Sequence, residues 1–233
     1  MKNNFLAVLL AASCLFFSCN TATQILSTLP TPLTEYEVVE GLKEALTIGS
    51  NNAGNLLHKE DAFFKNQIIK ILFPPEVADM EKKLRAIGMG SEIDKLILTM
   101  NRAAEKAAVE AIPIFSNAVA QMSIQDGMTI LKGKDNEATL YLKKHTYESL
   151  KNAFQPKVKE SLNSVGFFSI WNPLMNTYNQ LPFITKVDPD LDKYVTEKSL
   201  DGLFVTLAKE EYKIRKDPVA RVTDLLKKVF GSI

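Results

Sequence analysis

The sequence predicts an all-α protein whose single helical domain follows an N-terminal export segment. Three observations favour this fold class. Apolar residues recur at alternating spacings of three and four along most of the chain after Thr34, which is the period of an amphipathic helix. Capping residues precede these stretches, and Gly or Pro ends them. No stretch alternates with period two for long enough to predict a strand. We therefore expect one bundle of about six to eight helices, several of them long and kinked by proline.

The composition fits this domain and argues against several classes of protein. The 233 residues are 46% hydrophobic and 24% charged, which is enough for one sizeable core. The chain has 28 Lys and Arg against 27 Asp and Glu, and neither sign forms a long run. Nucleic-acid binding requires a basic surface, so this balance predicts no nucleic-acid partner.

The first 18 residues have the layout of a secretory signal. A short basic start precedes an apolar stretch from Phe5 to Phe17, which is shorter than the roughly 20 residues that span a bilayer. Ser18-Cys19 resembles the cleavage site of bacterial lipoproteins, in which the cysteine becomes the lipidated first residue. Cleavage before Cys14 is a second interpretation, and an ordinary signal peptide without lipid is a third.

The sequence thus divides into three parts. We interpret residues 1–18 as a lipoprotein-type signal peptide, residues 19–33 as the lipidated Cys19 with a flexible tether, and residues 34–233 as the helical domain. The predicted location is the bacterial cell envelope, where the lipid on Cys19 anchors the exported protein in a membrane. We favour the outer membrane, with the domain facing the periplasm.

The first predicted helix begins after Thr34, which forms a capping box with Glu37. Its apolar stripe runs from Val39 to Leu56 at three-four spacing. Glycines on or near the stripe lower its helix propensity, so we expect a neighbouring helix to approach closely there. These glycines are Gly41, Gly49 and Gly54.

The next stretch predicts a connector over residues 61–75 and two further helices. Pro75 suits the first turn of a helix that stops at Gly88. Ser91 caps a long helix, and Pro113 kinks this helix rather than ending it because the apolar stripe stays in phase.

The second half of the domain predicts two helices, an irregular segment and two more helices. Ser123 caps a short helix, and residues 136–165 form a long helix with a kink at Pro156. Residues 166–189 are predicted to be irregular because prolines interrupt their aromatic residues. Asp190 caps a helix to about Lys216, and Pro218 opens a last helix that ends at Gly231.

Six motifs are spread over this domain. They are GLKEAL from Gly41, MNRAAEKAA from Met100, FSNAVAQMSIQDGMTIL from Phe115, EATLYLKKHT from Glu137, LDKYVTEKSLDGLF from Leu191 and EEYKIRKDPVAR from Glu210. Through them the chain resembles a bacterial family, domain-of-unknown-function family 4197, from Tyr36 to Gly231. The resemblance implies an exported helical protein, often with a lipoprotein-type start, and implies no established activity. The chain departs from the family's usual Ile-Pro-Leu-Pro-like turn with Ile-Leu-Phe-Pro-Pro at 71–75.

Polar residues on apolar helix faces form a candidate polar cluster. Glu211 stands in the middle of an apolar face, where a carboxylate without a cation is costly. The predicted partners of this carboxylate are Arg215, Arg221 and Arg102. The cluster comprises Asn101, Arg102, Glu105, Glu211, Arg215 and Arg221. It either lines a cleft, in which Glu105 or Glu211 serves as acid or base, or forms a structural network, which we favour.

The aromatic segment is a candidate apolar binding segment. Either it lines a pocket or partner surface, or it folds over the core. Its residues are Phe167, Phe168, Trp171, Tyr178 and Phe183.

Metal binding finds little support in the sequence. Asp188, Asp190 and Asp192 lack the Gly and the closing Glu of an EF-hand, and helix capping explains them. His58 and His145 lie far apart and are too few for a zinc site. We predict neither a metal nor a cofactor.

The predicted function is that of a non-enzymatic binding or scaffold domain that engages an envelope protein or lipid. The alternative is an envelope hydrolase that uses Glu105 or Glu211 as acid or base. Unpaired carboxylates that meet in a cleft would favour the hydrolase. Arg-paired carboxylates in a filled core would favour the binding domain.

Overall fold

The computed structural model describes residues 33–180, 184, 186 and 189–231. The predicted signal peptide, both cysteines, most of the tether, Phe183 and Asp188 lie outside the described residues. The described residues form helices and connections without a strand, which confirms the all-α fold.

The helices follow one another with short connections. They are α1 (Glu35–Leu57), α2 (Ala78–Ala86), α3 (Gly90–Ala107), α4 (Ala111–Ala120), α5 (Ile124–Lys132), α6 (Glu137–Ser164), α7 (Phe167–Asn179), α8 (Leu191–Lys216) and α9 (Asp224–Phe230). Short 3-10 turns precede α2, α4 and α9 at Pro75–Val77, Ala108–Glu110 and Pro218–Ala220. Within the described ranges the bundle has eight helices when α3 and α4 count as one interrupted helix, as predicted.

The long helices surround the core. Helix α8 packs against α1, α3 and α6, and α6 also packs against α3 and α4. Helices α5 and α9 cover α1, while α2 and α7 pack on α3. The largest fully buried side chains include Leu42, Phe63, Phe115, Phe154 and Phe167, so the core draws on most of the domain. Burial of this apolar surface is the main stabilising contribution to the fold.

Pro113 interrupts the long helix without ending it, as predicted. Proline lacks an N–H, and its ring clashes with the carbonyl four residues back, here that of Val109. The 3-10 turn Ala108–Glu110 lies at this position, and α4 continues after it. The sharp turn comes later, where α5 leaves the Gly90–Ala120 axis at 107°.

The apolar character of these helices raises the question of a membrane span. No single described helix is both long and apolar enough to cross a membrane. The bent pair of Gly90–Ala120 and Ile124–Lys132 is together long and apolar enough for a span, by length and composition alone.

The prediction of an irregular segment is wrong for Phe167–Asn179, which forms α7. Gly166 adopts a left-handed φ of 68°, which a residue without Cβ does at little cost, and a new helix starts after it. Buried residues recur along α7 at three-four spacing. Burial of this face offsets the one backbone hydrogen bond that Pro173 removes.

Two predicted helix starts are wrong, the first by two positions and the second by six. Helix α3 begins at Gly90, and no side chain caps it, so Ser91 is not its cap. Pro218 opens only a 3-10 turn, and Thr223 caps α9 by accepting the N–H of Leu226. The stripe of α1 ends on Leu57, whereas Leu56 is 46% exposed.

Gly54 lies at a close contact between α1 and α4. A Cβ at this position would lie 2.6 Å from Cγ1 of Ile112, whereas a Cβ at Gly49 would meet its nearest neighbours at 3.7 Å. We expect Gly54→Ala to lower the free energy of unfolding by about 1–3 kcal/mol through overpacking. Gly49→Ala should raise it by about 0.5–1 kcal/mol, since Ala favours a helix over Gly. Thermal unfolding compares the two variants, and equal stabilities would contradict the close packing.

Ser123 and Asp126 form a capping box at the start of α5. The Ser123 hydroxyl accepts the Asp126 N–H at 3.1 Å, and the Asp126 carboxylate accepts the Ser123 O–H at 2.6 Å and its N–H at 3.1 Å. The hydrogen bonds from the Ser123 hydroxyl and then its backbone lower the pKa of the Asp126 carboxyl.

This capping box predicts a pH-dependent stability. A carboxyl with a lowered pKa in the folded state stabilises the protein above its unfolded pKa, and loses that contribution as the pH falls through the folded pKa. We expect Ser123→Ala to lower the free energy of unfolding at pH 7 by about 1 kcal/mol. The stability difference between wild type and Asp126→Asn should shrink as the pH falls below roughly 4. Denaturation at several pH values measures it, and a pH-independent difference would contradict this role of the carboxylate.

Candidate functional site

The six polar residues of the predicted cluster do not form one site. Three of them, Asn101, Arg102 and Glu105, lie on α3 and bind the connector. In the structure the connector covers residues 58–74, whereas the sequence predicts 61–75. Glu211 and Arg215 lie instead where α8 meets α5 and α6. Among the described residues, no hydrogen bond or ion pair joins the two groups.

The prediction that Arg102 and Arg221 pair with Glu211 is also wrong. Arg102 pairs with Glu105 instead. Arg221 donates to the carbonyls of Ile214 and Arg215 at 3.1 and 2.9 Å, and so caps the end of α8. The helical period identifies a buried face, but it does not identify the element that packs on that face.

Asn101 holds the connector through its side-chain amide. The residue is fully buried, its Oδ1 accepts the N–H of Ile71 at 2.8 Å, and its Nδ2 donates to the carbonyl of Ile71 at 2.8 Å. Nδ2 also donates to the carbonyl of Ile97 within α3 at 2.8 Å. The amide therefore satisfies both backbone groups of one connector residue, as a neighbouring strand would.

Glu105 holds the other half of the connector. It is 3% exposed, and its Oε1 accepts the N–H groups of Phe63 at 3.0 Å and Phe64 at 3.3 Å. Its Oε2 accepts Nη1 of Arg102 at 2.7 Å. The backbone carbonyl of Glu105 lies 3.0 Å from Nδ1 of His58. Asn101, Arg102 and Glu105 are called the connector clamp below.

Arg102 extends the clamp to a strained turn. Its Nη2 donates to Asp61 at 2.7 Å and to Glu60 at 3.1 Å. Asp61 has a φ of 66°, which is uncommon for a residue other than Gly. Lys65 and then Arg102 hold the pKa of the Asp61 carboxyl below its ordinary value. The charges around Asp61 thus keep this turn in its strained conformation.

Glu211 caps a helix to which it does not belong. Helix α6 has no side-chain cap of its own, and the N–H groups of Ala138 and Thr139 in its first turn donate to Glu211 at 3.0 and 2.8 Å. The Thr139 hydroxyl also donates to Glu211 at 2.8 Å. A carboxylate at this position satisfies free N–H groups and complements the helix dipole.

Arg215 joins the same junction to α5. It pairs with Glu211 at 2.9 Å and donates to the carbonyl of Ile130, near the end of α5, at 3.0 Å. The Glu211–Arg215 pair therefore fastens the end of α5 and the start of α6 to α8. Every oxygen of both candidate carboxylates, Glu105 and Glu211, accepts hydrogen bonds from backbone or arginine groups.

The space beside Glu211 is small. The cavity lined by Leu42, Leu46, Leu207 and Glu211 has a volume of about 20 Å³, enough for about one water molecule. Two larger clefts are open to solvent. One lies between the connector and α8 and measures about 310 Å³, and the other lies between α4, α5 and α6 and measures about 330 Å³.

The aromatic segment packs inward. Phe167, Trp171 and Tyr178 are at most 4% exposed, and Trp171 contacts Phe73 of the connector with ring centroids 5.5 Å apart. The Tyr178 hydroxyl donates to Asp79 on α2 at 3.2 Å. This burial leaves little of these three rings for a ligand to contact. Phe168 is half-buried.

Among the described residues, no group of three or more His, Cys, Asp and Glu is placed to hold a metal ion. Asp190 caps α8 by accepting the N–H of Lys193 at 3.0 Å. His58 binds the carbonyl of Glu105, and His145 packs on the ring of Tyr141.

Neither a curated protein nor a solved structure matches the chain. A family model described as "Protein of unknown function (DUF4197)" matches residues 32–231, nearly the whole domain. The match confirms the resemblance that the six motifs carry. The chain therefore belongs to the DUF4197 family.

Proposed function

We propose that the chain is a non-enzymatic binding domain of the cell envelope, tethered to a membrane through lipid on Cys19. One observation carries the non-enzymatic part. Glu105 and Glu211, the carboxylates best placed by sequence for acid–base chemistry, are fully engaged in holding the fold. A general acid or base must reach the proton it transfers, and the donors to these carboxylates are backbone, arginine and threonine groups of the fold itself.

The geometry favours a protein as the partner over a lipid. An acyl chain needs a large enclosed apolar cavity, and the cavity beside Glu211 holds about one water molecule. The two larger clefts are open and include charged and amide side chains such as Lys198 and Gln121. Open, partly polar surfaces of this kind suit a protein partner.

The tether is tested with the full-length protein in its own envelope. Metabolic lipid labelling of wild type and Cys19→Ala should show label only in wild type. Label that persists in Cys19→Ala would move the attachment to Cys14 or elsewhere. An unlabelled wild type would contradict the lipid anchor.

The binding function is tested by cross-linking in the envelope, purification and mass spectrometry. We expect one envelope protein to be cross-linked to the wild-type chain, and the molar ratio of the two proteins to be the same in repeated purifications. The hydrolase alternative is tested by incubating the purified domain with isolated envelope fractions and analysing them for cleaved bonds. Cleavage by wild type that is lost in folded Glu105→Gln or Glu211→Gln protein would contradict the proposal.

A further inference from the structure

The last part of the connector has the burial pattern of a β-strand. Ile69, Ile71 and Phe73 are at most 7% exposed, whereas Leu72 between them is 54% exposed. Residues 70–74 form no helix, turn or bend, and the backbone of Pro74 is extended, with φ −64° and ψ 151°. Alternation with period two is the pattern of an extended chain with one face on the core.

The clamp occupies only one edge of this extended segment. Both the N–H and the C=O of Ile71 bind the Asn101 amide, so both point towards α3. In an extended chain the backbone groups of the next residue point to the opposite edge. The N–H and C=O of Leu72 therefore point away from α3, and no group among the described residues bonds to them.

This outer edge lies in an open cleft against α8. The cleft measures about 310 Å³, and its rim carries the exposed side chains of Ile68, Leu72 and Val205. Gly202 on α8 allows the connector to lie close, since a Cβ there would be 3.3 Å from Cβ of Ile69. An unpaired strand edge beside apolar side chains is a template for a further strand.

The N–H of Lys70, which precedes Leu72 on this edge, is already donated to the carbonyl of Asn66 at 2.8 Å, so the free edge is centred on Leu72. We infer that this edge is a docking site for an extended peptide segment of a partner protein, which adds to residues 71–73 as a β-strand. The inference rests on the proposed binding function and identifies the outer edge of the connector as the surface that binds the partner. An extended backbone supplies the alternating donors and acceptors that Leu72 lacks, and an acyl chain supplies none. The expected segment places apolar side chains near Leu72 and Val205.

Charge further defines the partner segment. The Lys70 ammonium lies 4.2 Å from the centre of the Phe64 ring and makes no ion pair among the described residues. A carboxylate in the partner segment would complement it. A second copy of this chain fits less well. With Leu72 opposite Leu72, Pro74 would face Lys70 and offer no N–H to the ladder.

The test uses synthetic nine-residue peptides that alternate Leu or Val with Glu and Thr. Matched peptides carry one N-methyl group on the central amide. The methyl group removes a peptide N–H that could donate to the carbonyl of Leu72. We expect the unmodified peptides to bind the domain in fluorescence anisotropy, and N-methylation to weaken binding by about tenfold or more. Amide exchange at Leu72 should slow in the complex.

Two variants locate the site. Leu72→Asp should abolish peptide binding, whereas Leu140→Asp, at an apolar position on α6 that is 47% exposed, should not change it. Thermal unfolding checks that both variants fold. If Leu72→Asp does not fold, amide exchange at Leu72 in the wild-type complex still decides the question.

Four results would overturn the inference. They are an absence of binding by the whole peptide panel, equal binding of N-methylated peptides, unchanged amide exchange at Leu72, and self-association that Leu72→Asp removes. The last result would assign the edge to a second copy. If the peptides fail while Leu72→Asp still cross-links the envelope partner, the inference is overturned and the proposed binding function stands.

Discussion

Glu211→Gln is expected to lower the free energy of unfolding by about 3 kcal/mol or more. Donors from Ala138, Thr139 and Arg215 converge on the two carboxylate oxygens. Glutamine has one oxygen, and its NH₂ group would face a donor, so at least one buried partner would lose its acceptor. For a domain of this size, the melting temperature should fall by about 6–12 °C. Thermal and chemical denaturation measure both quantities.

Glu210→Gln is the matched control, since it makes the same change at the neighbouring position of α8. Glu210 is 8% exposed, pairs with Lys213, whose side chain is 57% exposed, and accepts Nδ2 of Asn52 at 3.3 Å. Glutamine keeps an oxygen for Asn52, and water screens the pair with Lys213, so we expect a loss below about 1 kcal/mol. Equal losses in the two variants would show that the start of α6 does not depend on the Glu211 carboxylate.

Asn101→Leu should have the second-largest effect, a loss of about 3 kcal/mol in the free energy of unfolding. Leucine has nearly the same size, but it leaves the buried N–H and C=O of Ile71 without a partner. Each unsatisfied buried group costs about 1–3 kcal/mol. Denaturation measures the loss, and hydrogen exchange should show a faster-exchanging amide at Ile71.

Asn117→Leu is the control for this variant. Asn117 is exposed on α4, where its Oδ1 accepts Nε2 of Gln121 at 3.3 Å, so its replacement should change stability by less than about 0.5 kcal/mol. An Asn101→Leu protein with a normal Ile71 exchange rate would contradict the role of Asn101 in the clamp. The last part of the connector would then be held by the apolar contacts of Ile71 and Phe73, which are buried.

The features that follow from local interactions could be predicted from the sequence. The all-α fold, the cap at Ser123 and the interruption at Pro113 each depend on residues within a few positions of one another. The burial of Glu211 also follows from the spacing of apolar residues on its own helix. All of this information lies in residues that are close together in the sequence.

The partners of the buried polar groups could not be predicted in this way. Glu211 binds Ala138, which is 73 positions away, and Glu105 binds Phe63, which is 42 positions away. Both partners are backbone N–H groups, which every residue except proline carries, so no residue type marks them. The single predicted cluster therefore divides into two sites that serve different junctions.

The strand-like end of the connector shows the same limit in a shorter segment. Its period-two burial covers only five residues, Ile69 to Phe73, too few to predict a strand without a neighbour. The neighbour is a single asparagine side chain on α3. Only the fold shows that this side chain occupies one edge and leaves the other open.

The sequence by itself determined the helical fold, the buried faces and the family of this protein, because period, capping and motif identity are properties of neighbouring residues. The tertiary structure alone decided what the buried carboxylates bind and which backbone edge stays unpaired. Those outcomes depend on which distant backbone groups meet when the helices pack, and a one-dimensional pattern does not contain that information.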